Sequence, residues 1–191
     1  MMNFYYGAMG CGKSTKLIQM VHNYKEESKK EVLIFNYEED KRYEQTPHVS
    51  SRLGIKIPCI GFNSDTNFIT EYKYGEHNYK NLYAIFVDES QFLSKHQVLE
   101  LSYLSDNFNI IVNCFGLRSD SNGDPFTGSI HLLTIADKLE EIESIDKYGD
   151  KATMQIRLDE NGERIFRGPQ KSIGLNYAPI SRKRFYHNYF T

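Results

Sequence analysis

The sequence predicts an α/β fold in which a parallel β-sheet is flanked by helices and followed by a small β-rich segment. Short apolar runs alternate with segments of helical periodicity as far as about residue 142. The character of the sequence changes after about residue 143: residues 151–158 (KATMQIRL) alternate between apolar and polar, and residues 159–162 (DENG) are typical of a hairpin turn. A chain of 191 residues corresponds to one domain with at most a small appendage. We therefore predict a first domain over residues 1–142 and a small second domain over residues 143–191.

The individual elements follow from the apolar runs and their spacing. Short runs rich in aliphatic and aromatic residues predict strands over residues 1–6, 31–36, 81–88 and 109–114. Apolar residues at helical spacing predict helices over residues 15–30, 94–106 and 128–137, and Ser94 is a suitable N-cap for the second of these. The polar residues 37–51 predict a loop, and residues 138–145 a further strand. Strands that alternate with helices predict parallel pairing with right-handed crossovers.

The composition argues against several classes of protein. The chain has 23 basic and 25 acidic residues and a net charge of −2, so it lacks the basic surplus of a protein that coats nucleic acid. It has no apolar run of the roughly 18 residues that a membrane span needs, and no secretory leader pattern at its start. Its three cysteines are far apart, which predicts reduced thiols rather than a disulfide framework. We expect a cytoplasmic protein that binds neither membranes nor nucleic acid.

One motif indicates nucleotide chemistry. Residues 7–14 match the pattern G-x-x-x-x-G-K-[ST], in which glycines let successive backbone N–H groups point at a phosphate and the next helix adds its positive end. An apolar strand precedes the motif and an amphipathic helix follows it, as in folds of the P-loop NTPase type. Lys13 should reach the β- and γ-phosphates of ATP, and Ser14 should bind Mg²⁺. The predicted ATP-binding residues of this loop are Gly7, Ala8, Met9, Gly10, Cys11, Gly12, Lys13 and Ser14.

Two adjacent carboxylates follow the third predicted strand. Asp88 ends an apolar run, where P-loop enzymes place the carboxylate that helps to hold Mg²⁺. Because side chains alternate across a strand, Glu89 should face a different task from Asp88. A hydroxyl that attacks a phosphate must lose its proton late in the transfer, and a positioned carboxylate can accept it. We predict Asp88 as a Mg²⁺ ligand and Glu89 as the general base.

Several segments together resemble the type II thymidine kinases of bacteria, large DNA viruses and animal cytosol. The resemblance extends over about residues 3–184 and rests on GAMGCGKST, EEDKRY, HVSSRLGIKIP, VDESQF, GLRSDSNGDPFTGS and LLTIADKLEEI, in that order. It implies ATP- and Mg²⁺-dependent phosphorylation of the 5′-hydroxyl of thymidine or deoxyuridine, a step in nucleoside salvage and DNA precursor synthesis. It also implies a homotetramer, feedback inhibition by thymidine triphosphate and a cytoplasmic location.

The same resemblance implies roles for further residues. Arg42 would stabilise charge on the transferring phosphate together with Lys13, beside the base Glu89. The implied ATP-binding residues outside the phosphate loop are Asp40, Lys41, Arg42, Asp88, Glu89, Ser90 and Gln91. The implied nucleoside-binding residues are Met9, Leu117, Ser121, Phe126, Gln170, Ser172, Ile173, Gly174 and Tyr177. Residues 170–177 match a loop that folds over the base and recognises it largely through backbone groups.

The chain departs from the family pattern at the positions that hold a structural zinc ion. The matching positions are Asp146, Tyr148, Ser181 and Arg184. Because a tetrahedral Zn²⁺ site needs thiolates or imidazoles, we predict no structural zinc. An ion pair between Asp146 and Arg184 in place of the metal is our hypothesis for what orders this segment.

A second departure concerns the base. Ser121 stands where the family has a Phe that packs on thymine, and the loss of that ring removes about 1–3 kcal/mol of stacking. In addition, Leu175 follows Gly174 where the family has paired glycines. Two alternatives to a thymidine kinase therefore stay open at this point. One is a kinase for a different deoxynucleoside, and the other is a degenerate family member that binds nucleotide and acts as an interaction or regulatory protein. The intact Lys13, Asp88 and Glu89 favour an active enzyme.

Overall fold

The computed structural model describes residues 1–38, 47–75, 81–166 and 176–187. Its strands, in chain order, are β1 (Met2–Tyr6), β2 (Glu31–Tyr37), β3 (His48–Ser50), β4 (Lys56–Pro58), β5 (Ile60–Phe62), β6 (Leu82–Val87), β7 (Ile111–Gly116), β8 (Lys138–Glu141), β9 (Met154–Leu158), β10 (Arg164–Ile165) and β11 (Asn176–Ile180). Its α-helices are α1 (Lys13–His22), α2 (Phe68–Tyr74), α3 (Lys95–Phe108), α4 (Thr127–Ile135) and α5 (Arg182–Phe185).

Six strands form the main sheet in the order β5-β2-β6-β7-β1-β8, and every pairing in it is parallel. A separate antiparallel sheet of three strands, β10-β9-β11, is built from the C-terminal part of the chain. Parallel strands need long crossovers, and here helices supply them. The predicted α/β class, with a parallel sheet and a small β-rich C-terminal segment, is confirmed.

The apolar residues of the central strands divide between two cores, one on each face of the main sheet. Phe4 of β1 and Phe35 of β2 belong to one cluster, with α3 packed on it, whereas their chain neighbours Tyr5 and Ile34 belong to the other, with α1 packed on it. This alternation is the period of two that a strand imposes on its side chains. Because both faces are covered, the strands read as continuous apolar runs in the sequence.

Several element boundaries differ from those predicted. The helix predicted over residues 15–30 consists of α1 and a π-helical turn over Asn23–Glu27. The loop predicted over residues 37–51 includes the last residue of β2 and all of β3, which pairs antiparallel with β4. Neither β4, β5 nor α2 was predicted, because three residues are too few for a recognisable apolar run in the two strands and α2 has only seven residues. The strand predicted over 138–145 ends at Glu141.

The helix predicted from residue 94 begins where its cap indicates. Ser94 Oγ accepts a hydrogen bond from Gln97 N, while Gln97 Oε1 accepts one from Ser94 N, so the two residues form a capping box.

Among the helices of the described ranges, none is long and apolar enough to cross a membrane.

The C-terminal sheet contacts the loop that follows β7. Gln155 of β9 donates a hydrogen bond to Ser119 O, and Arg118 donates one of 3.5 Å to Thr153 O. The turn predicted over residues 159–162 connects β9 to β10, with Gly162 N donating to Asp159 O at 3.1 Å. The sheet is thereby attached directly to the edge of the main sheet at which the candidate site lies.

Candidate active site

The candidate active site is a cleft at the carboxyl edge of the main sheet. Loops that follow β1, β2, β6 and β7 meet there, as expected for ligand sites of open parallel sheets. The cleft has a volume of about 1690 Å³, and its lining includes residues 9–16, Glu38, Asp88, Glu89, Leu117 and the β3–β4 hairpin. A pocket for one small ligand occupies about 300–1,000 Å³, so this cleft has room for two substrates.

The loop between β1 and α1 has the backbone conformation of a phosphate-binding loop. Gly10 and Gly12 have φ values of +77° and +91°, in the left-handed region that side chains other than hydrogen disfavour. Gly12 is the N-cap of α1, so the first N–H groups of the helix point back toward the loop. The predicted loop therefore has the conformation that an anion requires.

The two polar side chains that begin α1 face the loop and the neighbouring strand. Lys13 is almost fully buried, and its ammonium donates a hydrogen bond of 3.0 Å to Ala8 O. Ser14 Oγ donates one of 2.8 Å to Asp88 Oδ2. Residues 13, 14 and 88 come from two different strand ends, and the structure brings them together as the sequence predicts.

Asp88 is a buried carboxyl group in a strongly perturbed environment. Burial raises the pKa of Asp88 to about 7 and the adjacent charge of Glu89 acts in the same direction, whereas hydrogen bonds from Ser14 and from Glu89 N oppose the rise. A carboxylate that is costly to ionise alone gains from a nearby cation. The paired oxygens of Ser14 and Asp88 are hard ligands of the kind that Mg²⁺ prefers, and they fit that ion.

Glu89 adopts a backbone conformation that is rare for its residue type. Its φ of 52° and ψ of 34° lie in the left-handed region, between the end of β6 and a 3₁₀ turn over Ser90–Phe92. A non-glycine residue there is strained by about 1–2 kcal/mol, and such strain is concentrated at functional sites. The two carboxylates therefore diverge through a left-handed turn, and not through the strand alternation that the sequence suggested.

Gln91 connects Glu89 to the end of β7. Its side chain is 2% exposed, donates to Glu89 Oε2 through Nε2 and accepts a hydrogen bond of 3.0 Å from Leu117 N. Gln91 thus fixes the orientation of the Glu89 carboxylate relative to the main sheet. The sequence predicted Gln91 as an ATP-binding residue, whereas its described contacts are with Glu89 and Leu117.

Two glycines allow the 3₁₀ turn to lie close to its neighbours. A Cβ on Gly128, at the start of α4, would lie 2.5 Å from Ser90 O, and a Cβ on Gly116 would lie 2.8 Å from Gln91 Oε1. Both distances are well inside van der Waals contact, so α4 and β7 pack directly against this turn. Ser90 is fully buried beneath the cleft.

Comparison with known proteins bears on this geometry. A family model described as thymidine kinase matches residues 1–185 of the chain. The chain belongs to the thymidine kinase family. A protein named thymidine kinase from Zymomonas mobilis is 42% identical over 95% of this chain and 94% of its own length. One of the same name from Shewanella oneidensis is 43% identical, with the same coverage. Among solved structures, the Pif1 helicase of Candida albicans aligns with a TM-score of 0.45 and 12% identity, over 74% of this chain and 36% of the helicase.

For this thymidine kinase family member, the residues expected at the nucleoside are distributed over three regions. Met9 and Leu117 line the cleft. Phe126 is buried at the start of α4 and packs edge-on against Phe92, with 5.6 Å between ring centroids. Ser121 is 6% exposed in the turn after β7.

The remaining expected residues belong to the C-terminal segment or to residues 40–42. Tyr177 lies on β11, half-buried, with its ring centroid 5.6 Å from the guanidinium carbon of Arg157. The other expected residues fall outside the described ranges, and they are Asp40, Lys41, Arg42, Gln170, Ser172, Ile173 and Gly174.

The four positions that match zinc ligands in the family meet in space, around Asp146. Asp146 Oδ2 accepts a hydrogen bond of 3.0 Å from Ser181 N and lies 3.6 Å from Arg184 Nε, and Oδ1 accepts one of 2.9 Å from Tyr148 N. The guanidinium of Arg184 lies 4.1 Å from the Tyr148 ring centroid and donates to Asp150 at 2.7 Å. The hypothesised ion pair between Asp146 and Arg184 is confirmed.

This cluster joins the chain before β9 to the chain after β11. The Asp146 side chain is 1% exposed. Burial raises the pKa of Asp146, but the hydrogen bonds from the backbone of Ser181, Tyr148 and Asp150 outweigh it and leave that pKa below its ordinary value. One carboxylate and one serine, tyrosine and arginine do not suit Zn²⁺. Across the described parts of the chain, no group of three His, Cys, Asp or Glu residues is arranged to hold a metal.

Proposed function

We propose that this member of the thymidine kinase family transfers the γ-phosphate of ATP to the 5′-hydroxyl of thymidine or deoxyuridine with the help of Mg²⁺. The observation that supports this most strongly is the convergence, in one cleft, of Lys13, the Ser14–Asp88 pair and Glu89. These residues are the parts that phosphoryl transfer needs: an anion site, oxygen ligands for a metal and a base.

In the proposed mechanism the phosphate loop and Lys13 bind the phosphates of ATP. The Lys13 ammonium leaves the Ala8 carbonyl and donates to the β- and γ-phosphates. Ser14 and Asp88 would hold Mg²⁺, which when bound neutralises charge on the phosphates. Glu89, oriented by Gln91, accepts the proton of the attacking hydroxyl. Arg42 would stabilise the charge on the transferring group.

The recognition of the nucleoside is the second part of the proposal. Met9 and Leu117 supply apolar surface to the cleft beside Glu89, so a nucleoside there has its 5′-hydroxyl within reach of the base. Ser121, Phe126 and Tyr177 would lie around the sugar and the base. The other proposed contacts are those of Gln170, Ser172, Ile173 and Gly174.

The broader setting is also a proposal. We propose that residues 1–142 and 143–191 form two domains, that the latter is ordered without zinc by the Asp146 cluster, and that the protein is a cytoplasmic homotetramer inhibited by thymidine triphosphate. Size-exclusion chromatography with light scattering tests the tetramer. Inhibition of turnover by thymidine triphosphate, measured against added thymidine, tests the feedback.

A nucleoside panel tests the proposed reaction. Purified protein is incubated with ATP and Mg²⁺ and with thymidine, deoxyuridine, deoxycytidine, deoxyadenosine or deoxyguanosine, and the products are separated by chromatography. The proposal predicts thymidine 5′-monophosphate and, with deoxyuridine, its 5′-monophosphate. Phosphorylation of another deoxynucleoside in preference to these would contradict the proposed specificity but retain the proposed chemistry. No phosphorylation of any nucleoside would contradict the chemistry itself.

A further inference from the structure

The β3–β4 hairpin presents an arginine, Arg52, to the phosphate loop. The hairpin turn is closed by hydrogen bonds from Gly54 N to Ser51 O, at 3.0 Å, and from Ser51 N to Ile55 O, at 2.9 Å. Arg52 occupies the exposed position inside this turn. It lines the same cleft as Lys13, Ser14 and Asp88.

The hairpin is fixed to the helix that carries the phosphate loop. Val49 of β3 is fully buried in a cluster with Leu17, Ile18 and Val21 of α1. At its base, Asn36 Nδ2 donates a hydrogen bond of 3.0 Å to His48 O. The position of Arg52 relative to the loop is therefore set by packed core residues rather than by a free surface segment.

The guanidinium of Arg52 lies directly against Gly10, in the middle of the phosphate loop. A Cβ on Gly10 would lie 2.9 Å from Nη1 and 3.3 Å from Cζ of Arg52. Any side chain at residue 10 would therefore displace the guanidinium. Gly10 thus provides both the left-handed turn of the loop and the space that Arg52 occupies.

The charge of Arg52 is not used elsewhere in the described structure. The neighbouring lysines of the site have partners: Lys13 donates to Ala8 O, and Lys16 pairs with Glu140. Within the described ranges, Arg52 forms neither an ion pair nor a hydrogen bond, and its side chain is exposed to the cleft. A guanidinium binds phosphate oxygens in a planar, bidentate manner and is more weakly hydrated than an ammonium, so it suits this position.

We propose that Arg52 is a further phosphate-binding residue, which contacts the phosphate chain of ATP from the β3–β4 hairpin. This proposal rests on the proposed function, because it takes ATP as the ligand of the cleft. ATP with one Mg²⁺ retains more negative charge than Lys13 alone balances. Arg52 supplies a further cation, besides Lys13 and the proposed Arg42, from a separate structural element, so ATP binding links the hairpin to the loop.

Binding of Mg²⁺–ATP, Mg²⁺–ADP and adenosine is measured by calorimetry in the absence of nucleoside. The proteins are the unmodified chain, Arg52→Gln, Arg52→Lys and Lys95→Gln, the last being an exposed cation on α3 outside the cleft. Because a hydrogen bond to a charged group is lost, Arg52→Gln should weaken Mg²⁺–ATP binding about 10- to 100-fold. Adenosine binding should stay within about twofold, Arg52→Lys should recover part of the loss, and Lys95→Gln should bind ATP normally. Equal melting temperatures would exclude a folding defect.

Two results would overturn the proposal. If Arg52→Gln binds Mg²⁺–ATP within twofold of the unmodified chain, Arg52 does not contact the phosphates. If it weakens adenosine and ATP equally, the effect is on the shape of the cleft. In both cases, thymidine phosphorylation by the unmodified chain would leave the proposed function standing. A failure of the unmodified chain to bind ATP would overturn both.

Discussion

Gln91→Met is the substitution that most directly probes how the site is held together. Methionine has nearly the same shape as glutamine but cannot make either hydrogen bond of Gln91. The backbone N–H of Leu117, a residue that is 8% exposed, then loses its acceptor, and the Glu89 carboxylate loses a donor. A buried donor left without a partner costs about 1–3 kcal/mol. At about 2–4 °C per kcal/mol for a chain of this length, the melting temperature should fall by about 2–12 °C.

The same change should affect catalysis more than stability alone explains. Without Gln91 the Glu89 carboxylate is free to rotate away from the attacking hydroxyl, so kcat should fall by about tenfold or more. The KM for ATP should change by less than about threefold, because the phosphate loop is untouched. Thermal unfolding followed by circular dichroism and steady-state kinetics at 25 °C measure the two effects.

Gln97→Met is the matched control. Gln97 is also 2% exposed and donates through Nε2 to Asn63 O and Thr66 O, at 2.7 and 2.9 Å, and none of these three residues lines the cleft. It should lose at least as much stability, because Ser94 N also loses its acceptor on Gln97 Oε1, while keeping kcat. The reasoning is refuted if Gln91→Met keeps its melting temperature within about 1 °C, or if it loses no more kcat than Gln97→Met does.

Two further predictions concern the buried carboxylates. Asp146→Asn should lower the melting temperature more than Asp150→Asn does, and equal effects of the two substitutions would contradict the Asp146 cluster. In buffer without Mg²⁺, a chelator should leave the melting temperature of the unmodified chain unchanged. Since the pKa of Asp146 is lowered in the folded state, its contribution is present above about pH 4 and is lost at more acidic pH, so Asp146→Asn should flatten the acid side of the stability profile. The effect of Asp88 on the pH dependence of stability is opposite to that of Asp146. The pKa of Asp88 is raised from 3.8 to about 7 in the folded state, so the free energy of unfolding falls as the pH rises through that interval. In EDTA at pH 8, Asp88→Asn should therefore melt several degrees above the unmodified chain, and in Mg²⁺ it should lose kinase activity. A lower melting temperature in EDTA would show that ionised Asp88 is not a source of instability.

The parts of this protein that sequence reasoning recovered are those with a strong local signal. The central strands have continuous apolar runs because both faces of the sheet are covered. The phosphate loop has fixed spacing because glycine is needed at two left-handed positions. The cap at Ser94 follows from local chemistry, since the Ser94 hydroxyl accepts a hydrogen bond from Gln97 N and the Gln97 side chain accepts one from Ser94 N.

The parts that sequence reasoning missed depend on contacts between distant segments. β5 is three residues long and is a strand only because β2 lies beside it. Gln91 appears as one polar residue in the sequence, and its bridge from Glu89 to Leu117 exists only once β6 and β7 pair. Arg52 looks like a solvent-exposed loop residue until the hairpin is packed on α1. The segment HVSSR contributed to the family resemblance, but nothing in it predicted that Arg52 would lie against Gly10.

The central claim is that Glu89 acts as the base of a thymidine kinase. The most direct test is thymidine-dependent release of ADP from Mg²⁺–ATP by the purified protein, measured beside Glu89→Gln. Glutamine keeps the size of the side chain but cannot accept the proton, so kcat should fall by about 10²–10⁴-fold while ATP binding is retained. ADP release that thymidine does not stimulate, or a Glu89→Gln variant with unaltered kcat, would contradict the account.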